Sequence, residues 1–218
     1  MLASLELEAS SVTTGAGYSA VFQEFVLESE NINAAAAPTK RTVAIAVDAS
    51  QYARHAVHWA IDNYLRPDDL VAFINVRAQV IIPAVGLNGD TSLEYAELAE
   101  KGHLEDSKLL LGSFMKLVSQ KGFVSKGYSV GGFQQRKHAI VEKCAQLNAH
   151  VLICASRGVN AVSRALLGSV SDYCAHHCAC PVVVVRPTRK ELDAMTVPEH
   201  HKYPEAIAVP PSAAVNKI

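Results

Sequence analysis

Two glycines and two serines late in the chain form the clearest pattern that could do chemistry. In the stretch LICASRGVNAVSRALLGSVSDYC, nine residues separate Gly158 from Gly168, and Ser169 and Ser171 follow the second glycine. Glycine adopts positive φ at little cost and lets successive amides point into one anion-binding concavity. A helix that begins after Gly168 would add free amides and a favourable dipole. The pattern therefore predicts a phosphate-binding turn.

Composition limits the class of protein that could carry such a site. The chain has 218 residues, 50% of them hydrophobic and 19% charged, which is enough for one buried core with tails. Lys and Arg number 20 against 21 acidic residues, so no basic face for nucleic acid or a membrane surface is expected. No apolar run reaches the ~18 residues of a membrane span. The first residues, with Glu6 and Glu8, do not resemble a targeting leader, so we expect a cytoplasmic protein whose five cysteines are thiols.

Apolar runs and helical periodicities alternate in the central part of the chain. Helical spacing places Ala53, Val57 and Ala60 on one face of the segment after the first run. This alternation predicts an α/β fold with a five-stranded, parallel, doubly wound sheet and right-handed crossovers. The predicted strands are 42–47, which suits a strand buried on both faces, 69–76, 123–130, which has a weaker signal, 150–155 and 181–186.

The two ends of the chain differ from this central part. Residues 1–40 mix Ser, Thr, Gly and acidic residues and are predicted to be a flexible arm, within which YSAVFQEFVL would suit a short amphipathic helix. Residues 188–218 contain four of the nine prolines without clean periodicity, and are predicted to be a mostly irregular tail. The folded domain is therefore expected over residues 41–187.

Three segments of the predicted sheet should meet at one crevice. In doubly wound sheets, ligands bind beyond the carboxyl ends of the strands, where the winding reverses. Asp48 follows the first predicted strand, Val76 and Arg77 end the second, and the glycine-containing stretch follows the fourth. An alternative is that Asp48 only caps the next helix, because Gln51 stands three residues on, as in a capping box.

The motif resembles that of a known family. The spacing of Gly158, Gly168 and Ser169 is similar to the nucleotide motif G-x-x-G-x(9)-G-(S/T) of the universal stress protein family. VAIAVDAS followed by AVHWA resembles the family's opening strand and helix, and GSVSDYCAHHCACPVVVVRP its last helix and strand, particularly in plant-type single-domain members. The resemblance covers roughly residues 41–187. It implies an adenine-nucleotide α-hydrolase-like fold, strand order 3-2-1-4-5, and a site for ATP or AMP with optional Mg²⁺.

The resemblance also implies roles for individual residues. Asp48 would contact the adenine or ribose, the backbone of Val76 would hold the base edge, and the glycines and serines would hold ribose and phosphates. The implied binding residues are Asp48, Ala49, Val76, Ala155, Arg157, Gly158, Gly168, Ser169, Val170 and Ser171. No base, nucleophile or metal-carboxylate cluster is visible, so no enzymatic role is expected beyond weak ATP hydrolysis. The family member would act as a nucleotide-binding stress-response or signalling module.

Ala155 departs from the motif, whose first position is glycine. If this position needs positive φ, alanine costs on the order of 1 kcal/mol. If the ligand packs against it, the methyl group intrudes. An alternative function therefore stays open, in which the site is closed and the protein is a nucleotide-independent, dimeric interaction module.

Two further features concern partners. CAHHCAC suggests a thiol or metal site, but Cys174, His177 and Cys178 share the face that their helix must bury, so no metal is expected. In the implied strand order, PVVVVR at 181–186 is an exposed edge, which predicts a homodimer through these residues. The expected partners are an adenine nucleotide and a second copy of the chain, and neither nucleic acid nor a membrane.

Overall fold

A computed structural model describes residues 5–6, 24–29, 41–78, 89–131, 135–157 and 167–194, with the backbone alone at 5–6, 89–97 and 192–194. The chain divides into two compact units, Met1–Arg186 and Pro187–Ile218. The described strands and helices, in chain order, are β1 (Leu5–Glu6), β2 (Phe25–Glu28), β3 (Arg41–Ala46), α1 (Gln51–Asn63), β4 (Asp69–Val76), α2 (Gly89–Ser119), β5 (Val124–Val130), α3 (Arg136–Gln146), β6 (Val151–Ala155), α4 (Ser169–His177), β7 (Val182–Val185) and α5 (Arg189–Ala194).

The described strands form one sheet in the order β1-β2-β5-β4-β3-β6-β7. The five strands β3 to β7 pair in parallel, and their order along the sheet corresponds to 3-2-1-4-5 of the predicted strands. The predicted parallel, doubly wound α/β fold is therefore confirmed. The strand count of five is wrong, because β1 and β2 extend the sheet to seven strands by antiparallel pairing beyond β5.

Strand β2 lies within the segment predicted as a flexible arm with an amphipathic helix. Phe25 and Leu27 are buried, at 0% and 9% exposure, while the alternate residues Val26 and Glu28 are half-buried. The main chain pairs with β5, and the Ser29 N–H donates to a β5 carbonyl at 3.0 Å. Burial with a period of two is the strand pattern. The helix prediction is therefore wrong over 25–28, and residues 24–29 belong to the sheet.

Charged groups also attach β2 to the sheet and to α3. Lys143, on α3, is 7% exposed and pairs with Glu24. The second pair joins Lys126 of β5 to Glu28. A buried ammonium group without a partner is strongly destabilising, so Glu24 is what makes the buried position of Lys143 acceptable. Residues 24–29 are thus held to the domain by packing and by ion pairs.

Helices cover both faces of the sheet. Helices α1 and α2 pack on one face around a cluster that includes Val57, Phe73 and Phe114. Helices α3 and α4 pack on the other, where Ile140 and Leu152 belong to a second cluster. Two-sided burial explains why β3, β4 and β6 appear in the sequence as largely apolar runs. This arrangement places the carboxyl ends of β3, β4, β6 and β7 along one edge.

The second unit contains helix α5 at the start of the segment predicted to be mostly irregular. Its first turn is a capping box: the Thr188 N–H donates to the Glu191 carboxylate at 2.6 Å, and the Glu191 N–H to the Thr188 hydroxyl at 3.3 Å. Residues 195–218 of that segment lie outside the described residues. None of the described helices is long and apolar enough to cross a membrane.

Candidate functional site

The winding of the sheet reverses between β3 and β6. These strands are neighbours and pair in register up to Ala46 and Cys154. From β3 the chain continues to β4 on one side, whereas from β6 it continues to β7 on the other. Asp48 and Ser156 each stand two residues beyond the last pair. They therefore flank the crevice in which doubly wound folds bind ligands.

A tight turn fixes Asp48 at the exit of β3. The Val47 N–H donates to the Ile74 carbonyl at 2.9 Å, which continues the pairing with β4. Asp48 Oδ1 accepts the Ser50 N–H at 2.9 Å, and the Ser50 hydroxyl accepts the Ala53 N–H at 3.1 Å. Ser50 is the N-cap of α1. The alternative that Asp48 caps this helix is therefore wrong, and its carboxylate instead shapes the loop that contains Ala49.

The exit of β4 carries Val76 and a buried arginine. Val76 pairs with Val130 of β5, and the Arg77 N–H donates to the Val130 carbonyl at 2.8 Å. The Arg77 side chain is 1% exposed and forms an ion pair with Glu100 of α2 at 2.5 Å. A Cβ atom at Gly131 would lie 2.1 Å from Arg77 Nη2. Glycine is therefore required at 131 to admit this guanidinium, which braces the end of β4.

Ala155 ends β6 in ordinary strand geometry. It pairs with Val185 of β7, and its methyl group packs against the core on the α1 and α2 face. Among the described non-glycine residues, the one with positive φ is Asn148. The condition under which alanine would strain the backbone is therefore not met. The departure from the motif leaves the strand intact.

Gly168 closes the loop that follows β6. Its N–H donates to the Ser156 carbonyl at 2.7 Å, which brings together two segments twelve residues apart in sequence. Its φ of −75° and ψ of 153° are extended, so positive φ is not the reason for glycine here. A Cβ atom would lie 3.2 Å from the Ser156 carbonyl oxygen and 3.6 Å from Arg157 Cα. Gly168 is thus suited to a close backbone approach, whereas Gly158 lies outside the described residues.

Helix α4 begins at this closure without a side-chain cap. Its N-cap is Gly168, which has no side chain to bond the first amides. The Ser171 hydroxyl donates to the Gly168 carbonyl at 2.9 Å, and Ser171 is 2% exposed. Ser169 is exposed and Val170 is half-buried. The first turn therefore has amides that no side chain caps and an exposed Ser169 beside them, while the Ser171 hydroxyl donates within the turn itself.

Residues 40–186 match the family model described as Universal stress protein family. The chain belongs to this family. Among its relatives, this universal stress protein is 33% identical over 161 residues to Universal stress protein PHOS32 of Arabidopsis thaliana, and 34% identical over 172 residues to PHOS34 of the same organism. The matches cover 69% and 70% of this chain, and the chain spans 66% of the length of each relative. The predicted family is confirmed.

A solved structure of a universal stress protein family protein from Arabidopsis thaliana with AMP bound has the same fold. Its TM-score is 0.50 and its sequence identity to this chain is 19%, with 69% of this chain and 94% of that chain covered. At this identity the comparison establishes the architecture of the sheet and its helices. The ten residues implied by the resemblance keep their binding roles as predictions.

The cysteines of this universal stress protein lie together on the α3 and α4 face. Cys144 and Cys174 are buried in one cluster, and Cys178 and Cys180 pack against it. Burial raises the pKa of Cys174, and also that of Cys154, to about 12. In the metal-free protein such thiols are protonated at neutral pH. Among the described residues, no group of three His, Cys, Asp or Glu has the geometry of a metal site.

Two polar residues behind the crevice were missed by the sequence reasoning. Asn75, 8% exposed, donates from Nδ2 to the Val47 carbonyl at 2.9 Å. Ser107 of α2, 3% exposed, donates to Asn75 Oδ1 at 2.7 Å. The sequence did contain a signal for this pair. Asn75 is the one side-chain amide in the apolar strand DLVAFINV, and a buried polar group needs hydrogen-bond partners.

Proposed function

We propose that this universal stress protein binds an adenine nucleotide, AMP or ATP, in the crevice between Asp48 and the start of α4. Occupancy would control a cytoplasmic stress-response or signalling module. The observation that carries the proposal is the Gly168 N–H bond to the Ser156 carbonyl, at 2.7 Å. This bond holds the uncapped first turn of α4 at the carboxyl edge of the sheet, at the reversal of winding.

The residues present fit a phosphate. A helix N-terminus offers amide donors and a favourable dipole, and Ser169 adds a hydroxyl donor beside them. Arg157 and Gly158 follow β6 in the sequence and would complete the phosphate contacts. The AMP bound by the Arabidopsis family protein of the same fold supports an adenine nucleotide as the class of ligand. In the ATP complex, Mg²⁺ would neutralise charge between the phosphates.

The base and ribose would lie on the β3 and β4 side of the crevice. The Asp48 carboxylate and the loop at Ala49 are held beside β4 by the Val47 bond to Ile74. A carboxylate is a suitable acceptor for ribose hydroxyls. The backbone of Val76 stands at the end of the adjacent strand, where it would hold the edge of the adenine.

The nucleotide-independent alternative has less support. It requires Ala155 to close the site, yet the residue is unstrained and its methyl group packs against the core. We also propose that the protein is not an enzyme, because amides and hydroxyls at the crevice bind phosphate without activating a nucleophile. Slow ATP hydrolysis would be incidental to binding.

Nucleotide binding should stabilise the folded protein. Ligand at 100 times its Kd adds about 2.7 kcal/mol to the free energy of unfolding, a shift of about 5–10 °C for a domain of this size. The measurement is a thermal melt with AMP, ATP and Mg-ATP, with guanine nucleotides at equal concentration as controls. Melting curves unmoved by every adenine nucleotide at millimolar concentration would refute the proposal.

We propose a homodimer formed through residues 181–186. Strand β7 is the last strand at its end of the described sheet, and such an edge can pair with a second copy about a twofold axis. The carbonyls of Pro181 and Val185 accept bonds from β6, so by strand alternation the amide of Val184 points away from β6.

Proline at position 184 removes that outward donor while keeping the bonds to β6. We expect Val184→Pro to be monomeric by light scattering at micromolar concentration, and Val184→Thr to dimerise like the natural chain. A natural chain that is monomeric under these conditions, or a Val184→Pro variant that still dimerises, would exclude this interface.

A further inference from the structure

Two hydrogen bonds connect helix α2 to the peptide bond before Asp48, and a third holds the amide of Val47. The Ser107 hydroxyl donates to Asn75 Oδ1 at 2.7 Å, and Asn75 Nδ2 donates to the Val47 carbonyl at 2.9 Å. The Val47 N–H donates in turn to the Ile74 carbonyl at 2.9 Å. Asn75 and Ser107 are both more than nine-tenths buried. A satisfied polar network in an apolar core specifies one arrangement of the groups that it joins.

This network fixes the orientation of Asp48. The Val47 carbonyl belongs to the peptide group that links Val47 to Asp48, so holding this oxygen also sets the plane of the Asp48 amide. The amide of Val47 is already held by β4. With both backbone groups of Val47 bonded, the chain leaves β3 in a single direction. The Asp48 turn to Ser50 then places the carboxylate at the crevice.

Ser107 satisfies the acceptor end of the Asn75 amide. A carboxamide has a donor end and an acceptor end of similar shape. The Val47 carbonyl can only accept, so it takes the NH₂ group, and the Ser107 hydroxyl donates to the Oδ1 atom on the other side. Without that hydroxyl, Oδ1 would be a buried acceptor with no donor, or the amide would rotate and place two oxygens together.

A second contact keeps α2 in place for this role. Glu100 lies two turns before Ser107 on the same face of α2, and it pairs with Arg77, two residues after Asn75 on the same face of β4. Helix α2 is thus fixed to the carboxyl end of β4 at two points. The hydroxyl of Ser107 is therefore held opposite Asn75.

We propose that Asn75 is a positioning residue for the adenine and ribose side of the nucleotide site, and that Ser107 holds its amide in place by donating to Oδ1. The inference rests on the proposed function, because it concerns the same crevice. Neither side chain is expected to touch the ligand. Both act through the Val47–Asp48 peptide group.

The test is calorimetric titration of AMP and of adenosine into the full chain, well below its melting temperature. We expect Ser107→Ala to raise the Kd for AMP about tenfold, equivalent to ~1.4 kcal/mol, and Asn75→Leu to raise it further. Adenosine should lose affinity by the same factor in Ser107→Ala, since the phosphate contacts of α4 are untouched. A merely structural role would leave both Kd values unchanged in the folded variant.

Matched variants separate positioning from general destabilisation. Val118→Ala creates a buried cavity on the same helix, at the strand ends opposite the crevice. This variant should bind AMP with the same affinity as the natural chain. Threonine and valine have the same shape, so the variants Ser107→Thr and Ser107→Val differ only in whether the side chain has a hydroxyl or a methyl group. We expect Thr to retain affinity and Val to lose it, which keeps the test valid if Ser107→Ala folds poorly.

The outcomes distinguish this inference from the proposed function. If the natural chain binds none of AMP, ATP and adenosine, the proposed function itself fails. If the natural chain binds and Ser107→Ala binds within twofold of it, or if Val118→Ala loses as much affinity, the positioning role is overturned. A tenfold loss shared by AMP and adenosine and absent from Val118→Ala supports it.

Discussion

Replacing Phe25 with alanine is expected to lower the free energy of unfolding by about 3–5 kcal/mol, the usual cost of removing a buried aromatic ring. Phe25 has 0% exposure and lies in the main core cluster, and Lys108 Nζ lies 4.6 Å from the centre of its ring. Yet the residue stands outside the segment 40–186 that matches the family model. The measurement is urea unfolding followed by circular dichroism.

The control for Phe25 is its neighbour Val26, which is half-buried on the other side of β2. Val26→Ala should cost no more than about 1 kcal/mol. If Phe25→Ala unfolds at the same urea concentration as the natural chain, β2 is not part of the core in solution. The result we expect means that the folded unit of this family member includes a strand that precedes the family domain.

Replacing Gly168 with leucine is expected to weaken adenine-nucleotide binding at least about tenfold, because each lost hydrogen bond to a charged phosphate costs about 1.5–3 kcal/mol. A Cβ atom at this position would lie 3.2 Å from the Ser156 carbonyl oxygen and 3.7 Å from Ser171 Oγ. The larger side chain must push the β6 exit away from the first turn of α4 or cover its amides. Titration of AMP measures the loss.

The control for Gly168 is Gly102, which lies in α2 with no atom within 4 Å of a built Cβ. Gly102→Leu should leave AMP affinity unchanged, and it should not destabilise the fold, because leucine has a better helix propensity than glycine. If Gly168→Leu binds AMP as well as Gly102→Leu does, the closure at Gly168 is not part of the binding site.

Most of the parallel strands could be predicted from the sequence because they are apolar runs between the two helical layers. Strand β5, VSKGYSV, gives a weaker signal because its buried residues alternate with half-buried ones. The segment 69–76 matches β4 in full, and the predicted run 150–155 differs from β6 by one residue. The order of the strands came from the family resemblance rather than from the runs themselves. Apolar continuity identifies a buried strand, but it does not say which strand lies beside it.

Strand β2 was missed because its signal is short and its surroundings suggest disorder. Phe25 and Leu27 alternate with Val26 and Glu28, a period of two in a segment of four residues. The longer run YSAVFQEFVL also suits helical spacing, and so short a segment does not separate the two periods. Its place in the sheet depends on tertiary contacts, including the pairing of Glu24 with Lys143 from a distant helix.

The candidate site could be located from the sequence, whereas its internal bonding could not. Strand ends and the glycine spacing place Asp48 and Gly168 at the same edge. The sequence does not reveal that Ser50 is the cap, because Asp48 and Ser50 are both favourable N-cap residues. Whether Ala155 strains the backbone depends on its φ, which the sequence does not give. The structure shows Ala155 in ordinary strand pairing with Val185, so the alanine causes no strain. Asn75 and Ser107 meet across 32 residues of sequence.

The most direct test of nucleotide binding is calorimetric titration of AMP into nucleotide-free, full-length protein. The account predicts a saturable heat with one site per chain, present in Gly102→Leu and lost in Gly168→Leu. It would be contradicted by the absence of saturable binding of AMP and of ATP to the natural chain, with and without Mg²⁺, at concentrations up to the millimolar range.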